Sequence, residues 1–282
     1  MTLRPKWWQW PTILSLDAPA VALAWQGLVA TEARVKLNPF AVVVLGVSVW
    51  LAYAADRWLE GWRLRPEQVR TQRHWFYQRL RWGVAGVWAL ALATDLWAAF
   101  IGLSAREFWF GAALLPLVLA YVLSHQFIHR DRRWRVPKEI CVALLLSGGI
   151  AAFAAARLPP FQIGRLIIPV GLFLLLAFGN CALISVWERA VDQSHGQTSL
   201  ARQFPLGSAL GRSAVWAALG CGLVVAGTLP FARAAGTCTV VSAALLLWID
   251  SAQAGLGWEA ARVLADFALL TPLVALAFRL WR

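Results

Sequence analysis

The chain has 282 residues, of which 60% are hydrophobic and only 14% are charged, and its formal net charge is +12. This composition excludes an ordinary soluble domain, because one core does not need so many long apolar segments. Positive charge by itself would be compatible with nucleic-acid binding. In a protein with many spans, however, it usually reflects basic cytoplasmic loops, so we expect a lipid bilayer as the surroundings and no nucleic-acid partner.

A membrane-spanning helix needs roughly 20 apolar residues, and the sequence offers nine candidates. The first is the weakest, because Asp17 and Pro19 interrupt it. The pattern predicts an all-α, polytopic membrane protein of about nine transmembrane helices around a central cavity, with 1–282 as a single domain. The predicted helices cover 13–30, 39–60, 82–103, 108–127, 140–156, 163–192, 213–231, 237–250 and 258–280.

The basic residues are distributed unevenly along the chain. Two connectors, 63–81 and 129–139, are especially rich in arginine. If the N-terminus lies in the cytoplasm and nine helices alternate in direction, most of the 26 Lys and Arg fall on the cytoplasmic side. The sequence therefore predicts a multi-pass protein of the cell inner membrane, with the ends of the second and sixth helices facing the cytoplasm.

Those two helices both end in a pair of acids. Asp56 and Glu60 end the second predicted helix, and Glu188 and Asp192 end the sixth. Residues four apart share one face of a helix. Because acids are costly in membrane helices, they usually have a function there. Our hypothesis is that the four carboxylates face each other and are ligands of divalent cations.

Carboxylates of this kind suit Mg²⁺, which commonly binds one or two carboxylates together with substrate phosphates. A diphosphate attached to a long apolar chain fits such a site, with its head at the cytoplasmic rim and its tail between helices. Arginine and lysine would complete the charge balance, arginine through forked hydrogen bonds. The candidates for the diphosphate are Arg57, Arg63, Arg73, Arg130, Arg135, Lys138 and Arg189.

This pattern resembles the UbiA superfamily of intramembrane aromatic prenyltransferases. Those proteins have nine helices, with aspartate-rich motifs at the cytoplasmic ends of helices 2 and 6. Here Ala52-x-x-x-Asp56-x-x-x-Glu60 stands in place of the first motif, which typically begins with Asn. The second motif is Glu188-x-x-x-Asp192, followed by Gly196 and then by Ser-Leu-Ala at 199–201.

The resemblance implies Mg²⁺-dependent transfer of a prenyl group from a polyprenyl diphosphate to an aromatic or other lipophilic acceptor. It implies Asp56, Glu60, Glu188 and Asp192 as metal ligands, with Asp56 and Asp192 essential for catalysis. The basic run ending at Lys138 is similar to the family's lysine-containing segment before helix 5. The loss of the leading Asn, at Ala52, indicates a divergent branch rather than a standard quinone-pathway enzyme.

Two other interpretations stay open. One is a transport or prenyl-lipid-binding protein that kept the scaffold without catalysis, which Ala52 and the two glutamates favour. The other is a membrane scaffold in which acid–arginine pairs only join helices.

Several further polar residues have two possible roles each. Asn180 is expected either to reach the cavity or to bond another helix, and Asp95 to be either a general base or a helix–helix contact. Asp266 resembles Asp95 in its depth. The remaining candidates are a His125–His129 pair with metal-like spacing and His195, which is expected to be a loop residue.

Overall fold

A computed structural model describes residues 5–64, 69, 71–125 and 136–280. Its ordered elements are all helical over these ranges. Seven α-helices precede residue 126, after a short 3₁₀ turn at Trp7–Gln9. They are α1 (Trp10–Ile13), α2 (Asp17–Glu32), α3 (Pro39–Arg63), α4 (Gln72–Arg79), α5 (Arg81–Gly102), α6 (Ala105–Ala112) and α7 (Leu115–Leu123).

The remaining helices follow residue 135. Two of them are preceded by 3₁₀ turns, Pro160–Leu166 before α9 and Pro230–Ala232 before α13. They are α8 (Lys138–Arg157), α9 (Ile167–Trp187), α10 (Arg189–Ser194), α11 (Leu200–Gln203), α12 (Gly207–Thr228), α13 (Arg233–Leu256), α14 (Trp258–Ala268) and α15 (Thr271–Leu280).

The predicted all-α, polytopic architecture is confirmed. Within the described ranges, eight helical segments are long and apolar enough to cross a membrane, or nine if the N-terminal pair bent by 75° counts as one span. The spans are α3, α5, α6 with α7, α8, α9, α12, α13 and α14 with α15, together with the bent pair α1 and α2.

Helix α2 lies in the middle of the bundle. It packs against α3, α8, α9, α13, α14 and α15. Trp25 on this helix is fully buried, stacks at an angle on Phe173 with 5.0 Å between ring centroids, and donates its indole N–H to the Leu269 carbonyl. The span with the weakest sequence signal is therefore among the most enclosed helices.

Small residues let the C-terminal helices approach closely. A Cβ added at Gly179 of α9 would lie 2.7 Å from Val215, and one at Gly236 of α13 would lie 2.6 Å from the Ala226 backbone nitrogen of α12. Membrane helices gain stability by this close packing, since lipid offers no hydrophobic driving force between them. The contacts join α9, α12 and α13 into one layer.

Several predicted helices are broken where the sequence pattern runs on. The predicted helix 108–127 is two helices, α6 and α7, and 258–280 is likewise α14 and α15. The sixth predicted helix, 163–192, ends as α9 at Trp187, and α10 then begins at Arg189. The second acid pair thus lies at a helix break, with Glu188 at the junction.

Candidate functional site

A cavity of about 60 Å³ opens at one rim of the bundle, large enough for several water-sized groups. It lies between the end of α3, the end of α7, the start of α8 and the segment after α10. Its lining is acidic, basic and aromatic together. The lining residues are Asp56, Glu60, Arg63, Leu64, Tyr121, His125, Lys138, Gly196, Gln197 and Thr198.

The first acid pair is delivered by α3. Asn38 caps the start of this helix by accepting from the Phe40 N–H, and Pro39 occupies its first turn. The uninterrupted helix that follows places Asp56 and Glu60 one turn apart, and both line the cavity. The first acidic motif therefore lies at the mouth of the cavity.

Glu60 is held by a histidine that the sequence did not mark as functional. His74 Nε2 lies 2.9 Å from Glu60 Oε2, and its Nδ1 is hydrogen-bonded to the Thr71 hydroxyl. Burial lowers the pKa of His74 well below its usual value, and the Arg73 guanidinium lowers it further. The lowered pKa favours the neutral ring, in which Nε2–H donates to Glu60 while Nδ1 accepts from Thr71.

Asp192 lies on α10, and its carboxyl group is buried. Oδ1 is 3.6 Å from Lys138 Nζ, and Oδ2 has no hydrogen-bond partner among the described residues. The helix then ends in a Schellman motif: Gln197 N bonds to Asp192 O at 2.9 Å, and Gly196 has φ +67°. The left-handed glycine turns the chain so that Gln197 and Thr198 reach the cavity.

Glu188 has different surroundings from the other three acids. Both of its carboxylate oxygens lie 2.6 Å from Arg262 Nη1 of α14, and Oε2 is 3.1 Å from Arg73 Nη2 of α4. It is buried and, like Asp192, is not among the residues that line the cavity. Its charge is compensated by two arginines from distant parts of the chain.

The basic residues expected at the diphosphate have separate positions. Arg63 and Lys138 line the cavity, whereas the buried Arg57 points to the N-terminal bend and donates to Thr12 O and Ser15 Oγ, both at 2.7 Å. Arg189 is exposed. Arg73 binds Glu188, as described above. Arg130 and Arg135 lie outside the described residues.

Two of the buried polar residues join helices. Asn180 donates to Asp266 Oδ1 at 3.2 Å, which links α9 to α14. Ser48 of α3 donates to Asp95 Oδ2 of α5 at 2.7 Å. Between the alternatives that the sequence left open for Asn180 and Asp95, these contacts favour the helix–helix role.

The two histidines that the structure describes among the sequence candidates have different surroundings. His125 lines the cavity beside Tyr121, with ring centroids 4.8 Å apart, and its proposed partner His129 is outside the described residues. His195 is a buried residue at the end of α10, and its ring meets that of His74 edge-on at 4.7 Å. His195 is therefore a turn residue, as expected, and its ring is buried in a packed contact.

Sequence reasoning missed Tyr121, Gln197, Thr198, His74 and the pairing role of Arg262. Tyr121 and His125 are four apart near the end of an apolar helix, a spacing that could have marked the pair. The other residues come from connectors or from a helix far along the chain. Their positions depend on tertiary packing that periodicity does not reveal.

The donor set fits a hard cation only in part. Among the described residues, no three His, Cys, Asp or Glu side chains are grouped as a ready-made metal site. Asp56 and Glu60 line the cavity, and the buried Oδ2 of Asp192 has no hydrogen-bond partner among those residues, so a cation would satisfy it. Glu188, held by two arginines, does not fit that role in this arrangement.

The fold and the site together define a polytopic helical membrane protein with a carboxylate-bearing cavity at one rim. No protein-family description and no curated protein matches the sequence. The chain is similar in structure to the apo form of a UbiA homolog from Aeropyrum pernix K1, with a TM-score of 0.61 and 14% sequence identity. The match covers 94% of this chain and 98% of the other, so the chain shares the fold of that homolog over nearly its whole length.

Proposed function

We propose that the protein is an intramembrane prenyltransferase that transfers the prenyl group of a polyprenyl diphosphate to an aromatic or other lipophilic acceptor. The observation that carries the proposal is the cavity at the rim of a UbiA-like fold, where Asp56 and Glu60 lie with Lys138, which contacts Asp192. Acids and bases facing one small space are suited to a metal-bound diphosphate.

In this proposal Asp56, Glu60 and Asp192 would hold Mg²⁺, and the bound metal would neutralise charge on the leaving diphosphate. Lys138 and Arg63 would bind diphosphate oxygens directly. Glu188, which sequence reasoning placed among the ligands, would instead fix the arrangement of the helices through its arginines. The prenyl tail would lie between helices in the bilayer core.

The decisive experiment uses the purified protein in detergent or nanodiscs. It is given Mg²⁺, a radiolabelled polyprenyl diphosphate and a panel of aromatic acceptors, and both prenylated product and diphosphate are measured. We expect Asp192→Asn and Asp56→Asn each to reduce product formation by about 100-fold or more, because each removes a carboxylate that would hold the Mg²⁺ on the leaving diphosphate. Excess EDTA should abolish turnover.

A matched control is Asp250→Asn. Asp250 also carries a carboxylate on a long helix, but it binds Arg212 at 2.7 Å and Trp187 at 3.1 Å, and it does not line the cavity. This variant should retain near wild-type activity. Full turnover by Asp192→Asn, or by the wild type in EDTA, would refute the proposal.

A second candidate is a protein that binds or transports prenyl lipids without catalysis. Two observations favour it: Ala52 occupies the position where the family typically has Asn, and the two arginines hold Glu188 away from the cavity. It predicts saturable binding of the radiolabelled diphosphate with neither product nor released diphosphate. The same assay therefore separates the two functions.

We propose also that the cavity faces the cytoplasm of the cell inner membrane. The uneven distribution of the 26 Lys and Arg supports this orientation. The diphosphate released by the transfer would then leave the cavity into the cytoplasm.

A further inference from the structure

Helix α4 connects two membrane spans, α3 and α5, and lies at the same rim as the cavity. Thr71 caps its start, with the side-chain oxygen accepting from the His74 N–H at 3.4 Å. The cap fixes the first turn of the helix, so the neighbouring side chains of Arg73 and His74 leave it in defined directions. Each of them reaches a different acidic motif.

His74 reaches the first motif. It is completely buried, with Nε2 2.9 Å from Glu60 Oε2 and Nδ1 bonded to Thr71. A ring held at both nitrogens cannot rotate without losing a hydrogen bond. The carboxylate of Glu60 is therefore held at one position on the cavity wall.

Arg73 reaches the second motif. Its Nη2 is 3.1 Å from Glu188 Oε2, on the junction between α9 and α10. The His74 ring adds a further contact with that motif, because it packs edge-on against His195, three residues beyond Asp192. Two consecutive residues of one short helix thus contact both acidic segments.

The approach of α4 to α3 depends on a glycine. A Cβ at Gly61 would lie 3.3 Å from the Gln78 backbone nitrogen, tighter than most such contacts. Gly61 follows Glu60 directly, so this close approach of α4 to α3 lies one residue from the carboxylate that His74 contacts. Neighbouring residues of α3 thus provide both the close approach to α4, at Gly61, and the hydrogen bond to His74, at Glu60.

We infer that Arg73 and His74 are positioning residues that fix the two acidic segments relative to each other, so that their carboxylates reach one bound cation. The inference rests on the proposed function for what the carboxylates bind. The coupling of the two segments through α4 is a property of the protein without ligand. It can be measured separately.

The first test is a thermal-stability cycle on the ligand-free protein in detergent. We expect Glu60→Ala to lower the Tm in the wild-type background and to have little further effect in His74→Ala, because the hydrogen bond is already lost. Glu188→Gln should likewise lower the Tm less in Arg73→Gln than in the wild type, and the loss that remains there is that of the Arg262 pair. Additive Tm losses in both cycles would overturn the inference.

The second test measures Mn²⁺ binding by electron paramagnetic resonance, with Mn²⁺ as a probe for Mg²⁺. We expect His74→Ala to weaken Mn²⁺ binding about tenfold, as is typical when a residue that orients a metal ligand is removed. His74→Gln, which keeps an N–H donor, should restore part of the affinity, and it replaces the alanine variant if that one fails to fold. Arg79→Gln, at an exposed position of the same helix, should leave the affinity unchanged.

The two tests separate the two claims. Wild-type affinity in His74→Ala would refute the positioning role even if the protein is a prenyltransferase. A wild type that binds no Mn²⁺ would refute the proposed metal chemistry, and the stability cycles would then still decide whether α4 couples the acidic segments.

Discussion

Asp192 and Glu188 lie one helical turn apart, yet their carboxyl groups meet opposite surroundings. Asp192 has one lysine, Lys138, at 3.6 Å and a buried oxygen with no hydrogen-bond partner among the described residues. Glu188 accepts hydrogen bonds from two arginines. A buried group with an unsatisfied oxygen costs stability and is kept where it has a function, whereas a fully bonded acid contributes to the structure.

The different surroundings predict different consequences of neutralisation. Glu188→Gln keeps the shape of the side chain but leaves two buried guanidinium groups without their anion. We expect a loss of about 3 kcal/mol in the free energy of unfolding, the usual result of removing one partner from a buried ion pair. Thermal denaturation in detergent measures it directly.

The comparison variant for this prediction is Asp192→Asn, one turn away. Its loss of stability should be clearly smaller, because Lys138 is 30% exposed and can turn to solvent. If the Asp192 variant proves the less stable of the two, then the roles assigned to the two acids are wrong.

At single positions, the sequence predicted the acids but not their partners. Spacing alone put Asp56 with Glu60, and Glu188 with Asp192. Arg262 is 74 residues beyond the glutamate that it binds, and only the rotation of α14 about its axis brings it there. Arg57 follows Asp56 directly. Because adjacent residues lie on different faces of a helix, Arg57 points away from the cavity that Asp56 lines.

Among the elements, the N-terminal bend depends on Arg57. This buried guanidinium donates to Thr12 O before the bend and to Ser15 Oγ within it, and Ser15 adopts φ 59°. Tyr77 of α4 is hydrogen-bonded to the same hydroxyl at 2.8 Å. The 75° turn between α1 and α2 is thus held from α3 and α4 together.

Arg57→Lys should therefore loosen the N-terminal segment and not abolish binding of the diphosphate. Both bonds come from the one nitrogen Nη1, but a lysine ammonium group is more strongly hydrated than a guanidinium group and costs more to bury. We therefore expect faster proteolysis before residue 17 and a lower Tm. Limited proteolysis followed by mass spectrometry locates the cut. Loss of diphosphate binding with an unchanged proteolysis pattern would instead place Arg57 at the substrate.

Close packing of α12 on α13 gives a second prediction at this scale. Gly236→Ala puts a methyl group 2.6 Å from the Ala226 backbone nitrogen, so one helix must shift. We expect a loss of about 1–3 kcal/mol, the usual cost of overpacking, read as a lower Tm.

The matched control for that substitution is Gly220→Ala on α12, where an added Cβ meets nothing within 4 Å. It should be neutral or slightly stabilising, because alanine favours helix over glycine. Equal effects of the two substitutions would show that helix propensity, and not the distance between helices, sets the stability there.

Hydropathy predicted the spans well and their breaks poorly. An average over about 20 residues does not register a one-turn interruption, so α6 with α7 and α14 with α15 were each predicted as one helix. Pro116 and Pro272 lie in the first turns of α7 and α15, where proline is tolerated. These two prolines were the features of the sequence that could have indicated the breaks. Asp17 and Pro19, which made the first span the weakest, lie in the first turn of α2.

On the scale of the whole molecule, the alternation of spans explains why two acid pairs far apart in sequence share a rim. Helix α3 and the α9–α10 segment run in the same direction, so their ends lie at one side of the bilayer. Helix α8 begins at that side with Lys138, and the cavity forms where these ends meet. The number of helices and their directions could be predicted from the sequence. The central position of α2 could not, because a helix buried by other helices and a helix facing lipid are both apolar.

The same alternation makes the orientation testable. In a variant whose four native cysteines are replaced, a cysteine at Arg189 reports the cavity rim and one at Phe161, which is 83% exposed, reports the opposite rim. A membrane-impermeant maleimide should label the Phe161→Cys protein in intact bacterial spheroplasts and the Arg189→Cys protein only in inverted vesicles, because basic segments are retained in the cytoplasm. The reverse pattern would place the cavity outside the cell, away from a cytoplasmic supply of diphosphate substrate.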